Sequence, residues 1–500
     1  MRSLSKSKLM AFRQCPKRMW LEIHRPELRH DDSATQASFN TGNMVGDLAR
    51  RLYDPKGNGT LVDFKNGGMA AALSLTAELL TSSRPVFEAG FSAGGGLAFA
   101  DVMLPARVAG KRAWRMIEVK SSTSVKDYHH DDTAIQAFVA RTAGVALASI
   151  SLAHIDSNWT YAGEGDYAGL LKEVDLSAGA FSRTAEVAEW IGRAQVTATR
   201  RTAPRGPTGS HCSTPYACGF LAHCKSSEPQ ARHPVEWLPR VQAKALKAHI
   251  ATMAVTELKD VPDALLNEIQ LRVKTHTLAN RIYFDAAGAQ ADLRAHKLPA
   301  YFLDFETISF AVPIWPGTRP FQQIPFQFSV HRLGRTGKLE PGAFLDTSGD
   351  DPSRGFAEAL IGACGERGSV FVYNAGFETA RIGELADRFP RFRSALLAIN
   401  HRIVDLLPVA RQRYYHPSQQ GSWSIKKVLP AIAPDLSYAQ LDGVQDGGMA
   451  MDAFREAIDA STTPARKTQI ERQLLNYCAL DTFAMVRLWK FFSGRIDLHL

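Results

Sequence analysis

Apolar residues in the first part of the chain follow two different periods. A spacing of three to four residues, which gives a helix one apolar face, occurs over residues 5–25, 41–53 and 131–143. Short apolar runs separated by glycine-rich turns predict strands over residues 86–91, 97–104, 113–120 and 147–154. The interleaved helices and strands predict an α/β fold.

A second strand-rich pattern begins at AYFLDFE, residues 300–306, continues through QFSVHRL and SVFVYN, and ends in helices. Between the two patterns lie a polar, Pro-containing stretch and a helical segment at about 241–280. A chain of 500 residues exceeds what one hydrophobic core supports, so at least two domains are expected. We predict a first domain at 1–235, a helical linker at 236–295 and a second domain at 296–500.

Composition describes an ordinary globular protein with a mild basic excess. Lys+Arg number 59 against 50 Asp+Glu, a net charge of +9, which suits a polyanionic partner such as nucleic acid but equally a basic surface without function. The sequence has neither a signal-peptide pattern nor a run of 18 apolar residues, so we expect a cytoplasmic protein without a membrane span. The phosphate-loop pattern GxxxxGK[ST] is absent from the sequence.

Two adjacent predicted strands carry a possible catalytic group. Asp101 lies on one strand, and Glu118 and Lys120 lie two residues apart on the next, where they share a face. Carboxylates that hold Mg²⁺ or Mn²⁺, together with a lysine, suit hydrolysis of a phosphodiester. An ordinary cross-strand Glu–Lys pair on a surface hairpin is the alternative.

Three cysteines lie close together at the end of the first domain. HCSTPYACGFLAHC places Cys212, Cys218 and Cys224 at equal intervals of five intervening residues. Thiols in a cytoplasmic protein stay reduced, which argues against a disulfide. Structural zinc sites usually contain close CxxC-type pairs, whereas wider loops suit an iron–sulfur cubane, and both metals remain open.

The second domain carries acidic residues at three separate elements. Asp304 and Glu306 share a face of one predicted strand, Glu378 follows another, and Tyr477 and Asp481 are one helical turn apart. Such a set could hold two metal ions for hydrolysis of a terminal phosphodiester, with Tyr477 orienting the attacking water. Each piece alone also has a structural explanation.

The first domain resembles the RecB-like, iron–sulfur branch of the PD-(D/E)XK nucleases. The segment YHHDDTAIQAFVARTAG is similar to the helix that follows the ExK strand in that branch, and it places Asp132 and Gln136 on one face. The resemblance implies a restriction-endonuclease-like fold in which Asp101, Glu118, Lys120 and Gln136 are catalytic and Asp101 and Glu118 bind metal. That branch also has a metal ligand on an upstream helix, but Gly46 takes this position here with Asp47 next to it, and a solvated helix carboxylate is the better explanation of Asp47.

The same resemblance supplies a fourth cluster ligand. Members begin with a Ser-x-Ser-x-Leu-x-x-Phe-x-x-Cys-Pro pattern, and residues 4–16 read LSKSKLMAFRQCP. The resemblance therefore implies a [4Fe–4S] cluster held by Cys15, Cys212, Cys218 and Cys224, with Zn²⁺ as the alternative. His211 and His223 are expected to be bystanders.

The second domain resembles the DEDD exonucleases of the RNase H-like fold, in the subclass with tyrosine in its last motif. The resemblance implies a 3′→5′ exonuclease in which Asp304, Glu306 and Asp481 bind metal, with Glu378 standing where that family usually has aspartate. The aromatics of YYHPSQQGSWSIKKVLPAI, with Lys426 and Lys427, suggest either base stacking or core packing.

Taken whole, the chain resembles a bacterial family, described as a domain of unknown function, that fuses the two nuclease types. The expected function is a metal-dependent nuclease acting on DNA, at ends or single strands, in repair, recombination or defence, with a possible helicase partner. A catalytically impaired module that binds nucleic acid or docks to a partner is the alternative.

Overall fold

The computed structural model describes residues 3–495 and has a mixed α/β fold, which confirms the fold class at that level. The chain divides into two compact units. Unit 1 contains the residues up to Pro229 together with Phe310–Gln322, and unit 2 contains Gln230–Ser309 together with the residues from Gln323 onward. The segment predicted as a linker, 236–295, therefore belongs to unit 2.

Unit 1 contains seven strands and nine α-helices among its described residues. Its strands are β1 (Leu4–Ser5), β2 (Thr60–Leu61), β3 (Val86–Ala93), β4 (Gly96–Val108), β5 (Lys111–Lys120), β6 (Leu147–Ile155) and β7 (Leu171–Asp175). Its helices are α1 (Lys6–Gln14), α2 (Pro16–His24), α3 (Ser33–Tyr53), α4 (Phe64–Gly67), α5 (Met69–Leu79), α6 (Asp127–Thr142), α7 (Ser177–Ser182), α8 (Thr184–Ala198) and α9 (Leu221–Ser226).

One mixed sheet organises unit 1. Its order is β2-β3-β4-β5-β6-β7, and β1 pairs in parallel with β4. The hairpin β4–β5 is antiparallel, whereas β5 and β6 are parallel and are connected through α6. Helix α6 packs on the sheet through small and aliphatic side chains, including Ala134, Ile135 and Val139, which lie in one core cluster with Met116 of β5.

The predicted strands of unit 1 are confirmed, whereas the predicted helix over residues 5–25 is wrong in one respect. The chain forms two helices there, and Cys15 between them has extended backbone angles of φ −161° and ψ 117°. Pro16 stands at the first position of α2, where its missing N–H costs no hydrogen bond. Since proline disfavours helical angles in the residue before it, the break occurs at Cys15.

Unit 2 contains seven strands and ten α-helices among its described residues. Its strands are β8 (Tyr283–Phe284), β9 (Ala300–Ile308), β10 (Ile324–Leu333), β11 (Leu339–Leu345), β12 (Ser369–Val372), β13 (Ile403–Asp405) and β14 (Tyr414–Tyr415). Its helices are α10 (Lys244–Thr252), α11 (Glu268–Leu278), α12 (Ala286–Leu293), α13 (Ser353–Cys364), α14 (Gly376–Arg388), α15 (Arg393–Asn400), α16 (Leu406–Arg413), α17 (Ile425–Ile432), α18 (Gly447–Ile458) and α19 (Pro464–Ser493).

The main sheet of unit 2 has helices on both faces. Its order is β11-β10-β9-β12-β13, with β9 antiparallel to β10 and parallel to β12. Along β9, Leu303 and Phe305 pack in the core cluster that includes α13, α14 and α15. Phe302 points the other way and packs against Trp489 of α19. This alternation decides which face of β9 carries its acidic residues.

No helix within residues 3–495 is both long enough and apolar enough to cross a bilayer.

Candidate functional sites

Three carboxylates of unit 2 meet at one point. Asp304, Glu306 and Asp481, the acidic triad, each offer an oxygen that lies within 4.8 Å of the others. Asp304 and Glu306 alternate with buried Phe305, so they share the face of β9 on which Phe302 meets α19. Asp481 lies on that helix, two turns before Trp489. The sequence pattern therefore predicted this convergence correctly.

Mutual repulsion and burial make the triad unfavourable as three anions. Burial, reinforced by Asp481, raises the pKa of Glu306 from 4.5 to about 8. Burial raises the pKa of Asp304 well above its ordinary value, with Asp481, Glu306 and Glu378 acting in the same direction. Burial also raises the pKa of Asp481. Oxygen ligands concentrated in this way are suited to hard divalent cations, which offset the repulsion.

Two tyrosines and a lysine surround Asp481. The hydroxyl of Tyr438 donates a 2.5 Å hydrogen bond to Oδ1 of Asp481, and this bond, together with the charge of Lys426, counteracts the rise that burial causes in the pKa of Asp481. Nζ of Lys426 lies 5.0 and 5.1 Å from the ring centroids of Tyr438 and Tyr477. Lys426 also lowers the pKa of Glu306, against the larger effect of burial.

Glu378 lies near the triad, at the first turn of α14. It is 3% exposed, and its Oε2 is buried without a hydrogen-bond partner in the described part of the chain. Burial raises the pKa of Glu378 to about 7. A buried carboxylate oxygen without a partner is costly unless a cation or a proton occupies the space beside it. Glu378 therefore has the properties of a further metal ligand, although it is longer than the usual aspartate.

Asp405 has a structural role. Its carboxylate accepts hydrogen bonds from the backbone N–H groups of Asn374 (2.9 Å), Ala375 (3.1 Å) and Leu407 (2.9 Å). It thereby caps α16 and fixes the turn before Glu378, in which Asn374 has a positive φ of 78°. Asn374 also marks the edge of a cleft.

The cleft occupies about 1020 Å³ and lies beside the turn at Asn374. Its walls come from the sheet core and from the segment predicted as a linker. Arg240 and Arg411 contribute positive charge, and neither forms an ion pair within residues 3–495; Nε of Arg411 is buried without a hydrogen-bond partner. Trp423 lines the same cleft but is only 5% exposed. Its indole N–H donates a hydrogen bond to the carbonyl of Tyr414.

The aromatic segment of unit 2 proves to be core. Tyr414, Tyr415 and Trp423 are 2%, 0% and 5% exposed and share a core cluster with α19. This finding favours core packing over base stacking for these three rings. Lys426 is different, because its ammonium group donates to the carbonyl of Gln445 at 2.8 Å and its charge lowers the pKa values of Glu306 and Asp481.

The candidate residues of unit 1 also meet. Glu118 and Lys120 alternate with Ile117 and Val119, so they point toward the face on which α6 packs. Asp101 lies on β4 directly beyond the ladder pair Val102–Ile117, and its Oδ2 accepts a 2.6 Å hydrogen bond from the N–H of Val119. Burial, followed by the charge of Glu118, raises the pKa of Asp101 well above its ordinary value.

Helix α6 adds Asp132 and Gln136 to this group. Nε2 of Gln136 donates to Oε2 of Glu118 at 2.5 Å and to Oδ1 of Asp132 at 3.1 Å. Nζ of Lys120 contacts Glu118 and lies 2.8 Å from Oδ2 of Asp132. Despite burial, the ammonium groups of Lys120 and Lys6 hold the pKa of Asp132 well below its usual range.

Lys6 is the member that the sequence analysis missed. Its Nζ lies 2.6 Å from Oε1 of Glu118 and 3.1 Å from Oδ1 of Asp132. The only signal in the sequence is its place inside the Ser-x-Ser-x-Leu motif, at the first residue of α1. Asp47, by contrast, is 62% exposed at its side chain and pairs with Arg50 on α3, as expected of a solvated helix carboxylate.

The four cysteines of unit 1 line one cavity. Cys15, Cys212, Cys218 and Cys224 all contribute to its wall, and its volume is about 560 Å³. Nε2 of Gln14 donates 2.7 Å hydrogen bonds to the carbonyls of His211 and Tyr216, which ties the α1–α2 junction to the cysteine loop. Among residues 3–495 the triad is the one group of three or more His, Cys, Asp or Glu residues with ligand atoms all within 4.8 Å, so no three of the four sulfurs lie that close together.

The thiols also influence one another electrostatically. Burial raises the pKa of Cys218, and the neighbouring thiols of Cys212 and Cys15 add to that rise. Burial likewise raises the pKa of Cys224, with Cys15 and Cys212 acting in the same direction. Cys364 and Cys478 lie elsewhere and are fully buried, as expected of core cysteines.

Comparison with known proteins gives one match. Residues 301–424 match the family described as Domain of unknown function (DUF2779). The match covers under half of the chain, and it includes Asp304, Glu306 and Glu378, whereas Tyr477 and Asp481 lie beyond it. No curated protein matches the chain.

Proposed function

We propose that the chain is a metal-dependent nuclease with two hydrolytic sites and a structural iron–sulfur cluster. The observation that carries the proposal is the convergence of Asp304, Glu306 and Asp481 within 4.8 Å at the meeting of β9 and α19. A set of buried oxygen ligands from separate elements is what hydrolysis with one or two divalent ions requires.

For unit 2 we propose a DEDD-type, RNase H-like 3′→5′ exonuclease. The triad and Glu378 would hold Mg²⁺ or Mn²⁺, which when bound would supply an activated water and stabilise charge on the phosphate. Tyr438 would support Asp481 as a ligand, because its hydrogen bond opposes the rise that burial causes in the pKa of Asp481. In the hydrolysis, water oxygen bonds to phosphorus, the P–O3′ bond breaks, and a nucleoside 5′-monophosphate leaves.

The cleft beside Asn374 supports a polyanionic strand as the substrate. Two arginines without ion-pair partners in residues 3–495, Arg240 and Arg411, line a cavity large enough for several atoms of a sugar–phosphate backbone. Because its walls include residues 239–240 and 267–269, the helical segment would take part in strand binding.

For unit 1 we propose a PD-(D/E)XK nuclease site. Asp101 and Glu118 would hold the metal, Lys120 lies beside Glu118, and Gln136 orients Glu118 through its 2.5 Å hydrogen bond. The mixed sheet with its antiparallel β4–β5 hairpin and the following α6 supports this fold assignment. The natural settings are DNA repair, recombination or defence, with a helicase as one kind of partner.

For the four cysteines we propose a [4Fe–4S] cluster. A single zinc ion, with Zn–S bonds of about 2.3 Å, would draw four sulfurs to within about 4 Å of one another. No three of the sulfurs lie within 4.8 Å of one another, and the cavity that they line occupies about 560 Å³, which favours a cubane in which each thiolate binds a different iron. Thiolate ligation also needs reduced cysteines, which fits the cytoplasmic setting that the sequence predicts.

Activity assays on protein purified without oxygen test this proposal. End-labelled single- and double-stranded DNA and RNA are incubated with Mg²⁺ or Mn²⁺, using wild type, Glu118→Ala, Asp304→Ala and the double variant. We expect each single variant to lose one class of product and the double variant to lose both. If wild type cleaves none of these substrates, the chain is instead a nucleic-acid-binding or docking module.

A further inference from the structure

The first residue of α1 reaches the candidate site of unit 1. The backbone before it is fixed, because Leu4 and Ser5 pair in parallel with Gly96 and Leu97 of β4 and the side chain of Ser5 caps α1. From this anchored position, Nζ of Lys6 lies 2.6 Å from Oε1 of Glu118. Helix α1 ends next to Cys15, so both ends of the helix are tied to candidate functional groups.

Lys6 and Lys120 share the same two carboxylates. Asp132 receives them on different oxygens, with Oδ1 at 3.1 Å from Lys6 and Oδ2 at 2.8 Å from Lys120. Glu118 receives both ammonium groups on Oε1. Asp132 therefore holds the two ammonium groups apart, one on each of its oxygens. If a divalent cation bound Glu118, Asp132 would remain as the shared anion of both lysines.

The two lysine side chains are partly exposed at the wall of a cleft, whereas the carboxylates that their ammonium groups contact are buried. The side chains of Lys6 and Lys120 are 21% and 25% exposed, against 1% for Glu118 and 5% for Asp132. Lys6, Lys120 and Asp132 all line a cleft of about 840 Å³. Further basic residues on its walls are Lys8, Arg18 and Arg29.

We propose that Lys6 and Lys120 form a two-ammonium clamp for a phosphodiester of a nucleic-acid strand lying in this cleft, with Asp132 as the residue that positions both. The inference rests on the proposed function of unit 1 and assigns Lys6 as a second phosphate ligand of that site. Ammonium groups are point charges that bind phosphate oxygens strongly when an anion holds them in place. A carboxylate pair that needed only charge balance would not require its cations to face a cleft.

Strand binding without cleavage tests the clamp directly. A fluorescein-labelled single-stranded oligodeoxynucleotide is titrated in Ca²⁺ with the full-length, cluster-loaded protein carrying Asp304→Asn, at several salt concentrations. Lys6→Met and Lys120→Met should each weaken binding about ten-fold to a hundred-fold. Each should also reduce the slope of log K against log salt by about 0.7, the value for one lost phosphate contact on a single strand.

Lys111→Met is the matched control, because Lys111 is an exposed lysine at the start of β5, outside this cleft. Lys6→Arg, which keeps the charge, should recover most of the binding. The clamp is overturned if Lys6→Met binds like Lys111→Met. It is also overturned if Lys6→Met loses iron and Lys6→Arg restores the iron without restoring binding.

Cleavage in Mg²⁺ separates this inference from the proposed function. With Asp304→Asn as the background, Lys6→Met should lower the turnover of the remaining site as Lys120→Met does. If Lys6→Met cleaves at the parent rate, the clamp fails and the nuclease proposal stands. If the parent binds the strand through Lys6 and cleaves nothing, the hydrolytic proposal for unit 1 fails and the clamp stands.

Discussion

The hydroxyl of Tyr438 donates a 2.5 Å hydrogen bond to Oδ1 of Asp481, across 43 residues of sequence. Tyr438 belongs to a short turn before α18, whereas Asp481 lies in the middle of α19. Tyr477 lies one helical turn before Asp481, and its ring centroid is 6.3 Å from that of Tyr438. Burial raises the pKa of Asp481, and the hydrogen bond from Tyr438 opposes that rise.

Replacing Tyr438 by phenylalanine should weaken metal binding at the triad. Without this donor, the pKa of Asp481 rises further, and a protonated carboxyl is a poor ligand. We expect Tyr438→Phe to bind Mn²⁺ about ten-fold more weakly, as measured by calorimetry in a Glu118→Gln background that weakens metal binding at unit 1. Unchanged Mn²⁺ affinity would show that the hydrogen bond has no part in holding the metal.

Lys426 and Lys427 are adjacent lysines with different surroundings. Lys426 lies close to Tyr438 and Tyr477 and lowers the pKa of Glu306, whereas Lys427 is the next residue of α17 and points in another direction around the helix. Lys426→Met should therefore reduce strand trimming by about ten-fold or more, while Lys427→Met changes it less than about two-fold. If both variants lost the same amount of activity, the loss would reflect the general positive charge of the surface and not a role of Lys426 at the triad.

The raised pKa values of Glu306, about 8, and Glu378, about 7, predict how stability depends on pH. Without divalent ions, the folded protein holds protons here that the unfolded chain releases above about pH 4.5. This contribution is fully present below that pH and is lost as pH rises through about 7 to 8. The free energy of unfolding should fall by roughly 1–3 kcal/mol over this window.

Denaturant unfolding at a series of pH values measures this slope. Glu306→Gln should flatten it, because glutamine does not titrate, and Mn²⁺ should bind more tightly as pH rises. A free energy of unfolding that rises between about pH 5 and pH 8 in both proteins would contradict the assignment.

Cys15→Ser tests the long-range thiol set. We expect this variant to lose iron and acid-labile sulfide and to destabilise unit 1, because the proposed cluster would join Cys15, at the α1–α2 junction, to the distant cysteine loop. Trimming that depends on Asp304 should largely survive. His211→Ala is the matched control, since His211 lies beside Cys212 but is not proposed as a ligand, and it should retain the iron. Full iron content in Cys15→Ser would refute the four-cysteine assignment.

Strand alternation explains why the sequence placed part of each site correctly. Glu118 with Lys120, and Asp304 with Glu306, are pairs two residues apart on buried strands, and a period of two puts each pair on one face. Helical spacing likewise placed Asp481 beside Tyr477 and Gln136 beside Asp132. These local periods survive folding because the neighbouring apolar residues fix which face is buried.

Some site residues could not be predicted from the sequence, because the helical or strand spacing around them does not link them to the other residues of the site. Lys6, at the start of α1, contacts Glu118, which is 112 residues away in the sequence. Tyr438 reaches Asp481 from an irregular turn. For Tyr414, Tyr415 and Trp423 the local pattern was misleading in the opposite way. Their proximity to lysines in the sequence suggested base stacking, but tertiary packing buries all three rings. Long-range contacts of this kind depend on the fold rather than on local pattern.

The claim that the acidic triad is a hydrolytic centre is tested most directly by following 5′-end-labelled single-stranded DNA in Mg²⁺. Three proteins are compared: wild type, Glu118→Gln and Asp304→Asn. We expect stepwise shortening from the 3′ end by wild type and Glu118→Gln, and at least about a hundred-fold slower shortening by Asp304→Asn. Shortening by Asp304→Asn at the wild-type rate would contradict the claim.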